Sequence, residues 1–167
     1  SSRARGEDPG PDEPNVVVRE VVPIDRREED ALRWAIHEPA LVADWLHPSL
    51  FADPVAHAAF VQLAAADEFH HALDASEGDV RALLERLAVE EPEADDEPET
   101  IRARLVVNTV EPAAERLLRQ LLRDGDDRAS QVKVQLDAVR GGAAASWSAG
   151  VGAAMQLVRW ISEWTPT

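Results

Sequence analysis

The sequence predicts an all-α protein, a helical bundle followed by a C-terminal helical hairpin-like subdomain. Three observations lead there. Apolar residues return every three or four positions in successive stretches, as in Ala153, Leu157, Trp160, Ile161 and Trp164, the pattern of a one-sided helix. Helix-start signals precede such stretches: Asp25 with Glu28 three residues on, and Asp53 followed by Pro54. No strand pair is needed to place the apolar residues.

The elements follow in order. Residues 1–15 mix Gly6, Pro9, Gly10, Pro11 and Pro14 with acidic groups, too few apolar residues to offset chain ordering. With the valines after them, residues 1–23 read as a flexible linker or arm ending at Pro23. Asp25 then caps a helix whose stripe is Ala31, Leu32, Ala35 and Ile36, with Trp34 off its centre. Pro39 ends that helix and is expected to begin a second, carrying Leu41, Val42, Trp45 and Leu46. Asp53-Pro54 opens a third, running through His57, Phe60, Val61 and Leu63. A short helix over 68–73 precedes a restart at Gly78-Asp79, and Val80, Leu83, Leu84 and Leu87 keep helical spacing to about Val89. Residues 90–99 hold seven carboxylates, Pro92 and Pro98, a solvated loop.

A long helix is expected over 100–123, kinked or restarted by Pro112 and stopped by Gly125. Residues 127–139 form another, with Val132, Leu136 and Val139 on one side. Residues 141–150, rich in glycine and alanine, read as a connection, and 151–164 as the last helix. The bundle subdomain thus covers 24–123 and the hairpin subdomain 124–167, the latter expected to be a more extended pair.

Composition narrows function. With 167 residues, 45% hydrophobic and 29% charged, the chain suits one soluble domain with a real core. The absence of cysteine removes disulfide frameworks, cysteine zinc ribbons, iron–sulfur sites and thiol nucleophiles. A formal charge of −15, from 17 basic and 32 acidic residues, argues against independent nucleic-acid binding, which needs clustered cations. Sixteen of the basic residues are arginine and one, Lys133, is lysine. No segment reaches the ~20 apolar residues a membrane span needs. Ser1-Ser2-Arg3 offers neither an initiating Met nor the start of an apolar signal core, so the chain reads as a piece of a larger protein.

No catalytic constellation emerges. Glu68-x-x-His71 is half of a di-iron signature, which needs a second such pair and two further inward glutamates. It leaves a metal-dependent helical enzyme as a minor alternative. His37, His47 and His57 lie on different elements without a ligand spacing. Asp124-Gly125-Asp126-Asp127 reads as a turn and cap rather than a magnesium site. Ser146 lacks the Gly-x-Ser-x-Gly elbow. Trp160 and Trp164 suggest a binding edge if the last helices protrude.

The stretch from Asp25 to Leu41 (DRREEDALRWAIHEPAL) combines a charged run, an Ala-Leu helix and a Pro-x-Leu ending. Leu50-Phe51-Ala52-Asp53-Pro54 and Leu83-Leu84-Glu85-Arg86-Leu87-Ala88-Val89-Glu90 follow in order. Together they resemble the C-terminal, helicase-binding domain of bacterial DNA primase (DnaG type), over about 25–140 and more loosely to Trp164. The resemblance implies a non-catalytic domain, cytoplasmic at the replication fork, that docks on the N-terminal domains of the hexameric replicative helicase. Its own cofactors would be none, the zinc-binding and magnesium-dependent polymerase parts lying upstream. It implies neither nucleic acid nor membrane as a direct partner. The expected helicase contact is Met155, Leu157, Val158, Trp160, Ile161 and Trp164, with Lys133 and Leu136 opposite. The N-terminal helical domain of the helicase itself is the alternative within the same machinery. Pro112 and the 141–150 connection depart from a plain hairpin.

Overall fold

A computed structural model describes residues 23–165; the linker or arm expected over 1–23 lies, but for its last residue, outside them. Seven α-helices make up the fold among the described residues, with no strand. They are α1 (Arg26–His37), α2 (Pro54–Ala65), α3 (Phe69–Asp74), α4 (Gly78–Val89), α5 (Pro98–Arg123), α6 (Ala129–Ala145) and α7 (Val151–Trp164). None is long and apolar enough to cross a membrane.

The start of α1 follows its sequence signal in part. Asp25 Oδ1 accepts from the Arg27 amide at 2.8 Å, covering one of the open N–H groups at a helix start. Glu28 does not complete a capping box. Its carboxylate is buried and reaches across to accept from the amides of Ala52 at 2.9 Å and Asp53 at 3.2 Å. Trp34, expected off the centre of the stripe, is buried with Ala31 and Leu32. The second predicted helix is not formed. Residues 39–50 instead hold two short 3₁₀ segments, Pro39–Leu41 and Pro48–Leu50. Prolines at 39 and 48 explain this, since the residue before a proline is held extended, as His47 is at φ −137° and ψ 146°.

Asp53 caps α2 as its sequence requires, accepting from Val55 at 2.8 Å and Ala56 at 3.2 Å. Polar contacts between distant segments fasten this half. Arg86 bridges from α4 to Glu29 of α1, and Arg33 of α1 holds Glu90 at 2.8 Å. His37 Nε2 meets the Leu87 carbonyl at 3.1 Å. The acidic loop is tied down by Glu90 and by Arg104, which lies 3.8 Å from Asp95 and 3.7 Å from Asp96.

The long helix α5 runs unbroken through Pro112, so the expected restart does not occur. It serves both halves, packing on α1 and on α6 and α7. One apolar core runs from Leu32 and Leu84 through Val106 and Val110 to Leu136 and Leu157. The last two helices therefore lie against α5 rather than extending away from it.

Only 146–150 of the glycine-rich stretch is a connection. The sixth helix continues through Gly141 and Gly142 to Ala145. A Cβ on Gly142 would sit 2.5 Å from the Ala149 carbonyl oxygen, and one on Gly150 would sit 2.9 Å from that of Val139. These glycines let the backbone of the α6–α7 turn lie directly on α6, a close approach no larger residue permits.

Candidate docking face

The last two helices, α6 and α7, hold the residues expected to contact a partner. Three of them face inward: Leu136, Leu157 and Ile161 are at most 2% exposed. They support the surface from beneath and are not themselves available to a partner. Met155 and Val158 are half-buried against the core. Lys133 is exposed on α6, where Asp137 one turn on accepts its ammonium at 2.9 Å.

Trp160 and Trp164 flank the buried Leu157–Ile161 stripe and remain half-buried. One helical turn apart, they stack with ring centroids 5.1 Å apart and planes only 8° from parallel. The Arg128 guanidinium lies over the Trp164 ring, 4.5 Å from its centroid, a favourable cation–π geometry. Asp126 orients that arginine, accepting from its Nε at 3.1 Å and Nη2 at 2.8 Å and from its amide at 2.9 Å. The Arg128 side-chain hydrogen bonds pull the Asp126 pKa down to about 2. A tryptophan–tryptophan–arginine ledge therefore caps the end of α7.

Beside it runs a cleft of about 470 Å³, walled by Leu117 and Leu121 of α5, Arg128, and Ile161 and Trp164 of α7. Arg116 also borders this cleft. Its Nη2 donates to the Leu50 carbonyl at 3.0 Å. Burial lowers its pKa, while the Glu28 carboxylate opposes that shift.

The turn between α5 and α6 explains the carboxylates of 124–127. The Gly125 amide donates to Leu122 at 3.2 Å and the Asp126 amide to Leu121 at 2.9 Å, the bonding of a Schellman helix end. Gly125 takes φ +65°, as that turn requires. Asp124 accepts from Gln120, and Asp126 is held by Arg128. The side chains of Asp124 and Asp126, two of the three, are thus engaged in the turn.

The other candidates separate. His47 Nδ1 accepts from the Ser49 amide at 3.1 Å, and His57 is exposed. Burial, with the nearby His57, lowers the His47 pKa. Ser146 Oγ accepts from the Ala149 amide at 3.2 Å, closing a turn. Glu68 and His71 lie on the outer surface, whereas di-iron ligands project into a bundle interior.

Sequence reasoning did not single out Arg128 or the exposed Val134, and it read Asp126 only as part of a turn and cap. An arginine three residues past a helix-ending glycine carries no local signal that it will cover a tryptophan 36 positions away. Comparison with known proteins returned no counterpart: no protein-family model, no curated protein and no solved structure matches the chain.

Proposed function

We propose that this chain is a non-catalytic recruitment domain. Its reading is that of the helicase-binding domain of a bacterial DNA primase, cytoplasmic, docking on the N-terminal domains of the hexameric replicative helicase. The polymerase chemistry, with its zinc and magnesium, would belong to another part of a longer protein. Recruitment needs no active site. Several tethered copies on one ring raise the local concentration of the polymerase.

The observation that carries the reading is the Trp160–Trp164 stack under Arg128. Tryptophan and arginine are the residue types that most often dominate protein interfaces. Here they form a rigid, partly exposed edge over a packed base of Leu157 and Ile161. The ordered sequence segments of 25–90 support the choice of partner.

The test is size-exclusion chromatography with light scattering, mixing this protein with the hexameric helicase of the same organism. Deleting α7 is not a usable variant, because Ala154, Leu157 and Ile161 would leave the core. Trp160→Ala and Trp164→Ala keep that core. A complex is expected for the parent chain. Each tryptophan variant should weaken it by ~2 kcal/mol or more, on the order of 30-fold. A folded parent chain that forms no complex overturns the assignment. Unchanged affinity in both variants removes the ledge from the interface.

A further inference from the structure

Glu68, His70 and His71 are, among the described residues, the one group of three or more metal-ligating side chains gathered closely enough to share an ion. Each offers a ligand atom, and those atoms all lie within 4.8 Å of one another. We propose that they form a surface site for a divalent transition-metal ion of the zinc class.

Local structure gathers the three donors. Glu68 stands at the N-cap of α3 in an extended conformation, φ −135° and ψ 152°, yet its side chain caps nothing. Its Oε1 lies instead 3.2 Å from His70 Nδ1. The His70 and His71 rings lie side by side, centroids 4.1 Å apart. The backbone beneath them is fixed on both sides. Phe69 packs against the core, Ala72 is buried, and the His71 amide donates to the Glu68 carbonyl at 3.0 Å. So the histidines sit on an anchored turn while their rings stand in solvent. Neither ring has a hydrogen-bond partner among the described residues other than Glu68.

The donor set selects the ion. Two imidazoles and one carboxylate suit zinc and its neighbours, whereas magnesium and calcium take oxygen ligands. Zinc bonds of about 2.0–2.2 Å require donors a little over 3 Å apart. The Glu68–His70 separation already meets this, and His71 closes by a rotation that an exposed ring is free to make. Water would fill the fourth position. Because all three donors are exposed, the ion would act as a clip. It would join the N-cap of α3 to its first turn and stabilise the α2–α3 connection by binding only the folded arrangement.

The test is zinc titration by calorimetry on protein purified without a histidine tag, with cobalt as a spectroscopic substitute. About one ion per chain is expected. His70→Ala, His71→Ala and Glu68→Ala should each lower affinity at least about tenfold. His57→Ala, altering an exposed histidine on α2, should change nothing. All four positions are exposed, and circular dichroism will verify the helical content of each variant. No saturable binding at zinc concentrations of hundreds of micromolar overturns the site. So does unchanged binding by the double variant of His70 and His71.

Discussion

The two ends of the molecule are held together by different means. Around α1, α2 and α4, directional polar contacts join segments far apart in sequence: Glu28 to Ala52 and Asp53, Arg33 to Glu90, Arg86 to Glu29, and His37 to Leu87. Around α6 and α7 the seam is apolar and tight. Backbone lies on backbone at Gly142 and Gly150, and Arg140, reaching Glu111 and Glu115, links α6 to α5. The irregular segment between α1 and α2 has backbone amides that no helix satisfies, and Glu28 pairs them. At the α6–α7 turn small residues instead admit close approach.

The largest expected effect breaks the polar half. Glu28→Ala removes a buried carboxylate and leaves two amides unpaired, with Arg116 losing a neighbouring negative charge. A loss of about 3 kcal/mol is expected by urea denaturation. A loss below about 1 kcal/mol would mean that water replaces the carboxylate there and that apolar packing holds both halves.

The next sharpens the steric half with adjacent residues. Helical Gly→Ala ordinarily stabilises by about 1 kcal/mol. Gly141→Ala should do so, since nothing lies within 4 Å of its added carbon. Gly142→Ala should instead destabilise by roughly 1–3 kcal/mol, because backbone must move. Equal thermal shifts of the same sign in the two variants would show that the turn yields freely.

A smaller effect concerns pH. His47 must be neutral for Nδ1 to accept from Ser49, and its pKa is lowered in the folded protein. The unfolded chain therefore binds more protons as pH falls below about 6.5. Stability from this residue is full above that value and is lost as pH falls through the lower, folded pKa. His47→Asn, which keeps an acceptor, should flatten the slope of the urea midpoint between about pH 5 and 7. An unaltered slope would assign the pH dependence to other groups.

The smallest effect is at Lys133. Its exposed ion pair with Asp137 is worth about 0.3–0.5 kcal/mol, so Lys133→Ala should leave the melting temperature almost unchanged. A shift of several degrees would mean that surface charge contributes to the apolar seam.

Local signals were legible in the sequence and non-local ones were not. Asp53 and the limits of α7 follow from capping and apolar spacing within a single helix. Glu28 was misread because its partners lie 24 and 25 residues away, whereas a capping box looks only three residues back. Glycines 141 and 142 have the composition of a linker. Only the position of the returning chain makes one of them a contact. The tryptophan ledge was half visible: the tryptophan spacing is in the sequence, but Arg128 above it is a product of the turn at Gly125.

The parallel indoles of Trp160 and Trp164 also make the domain its own optical probe. Rings so close and so nearly aligned couple their electronic transitions, and a cation over one of them perturbs its excited state. Their near-ultraviolet dichroism should therefore differ from that of Trp34, Trp45 and Trp147, which have no such stacked partner among the described residues. A protein that settles on the ledge would alter that signal without any attached dye, and the difference spectrum between the parent chain and Trp164→Phe would carry the contribution of the pair.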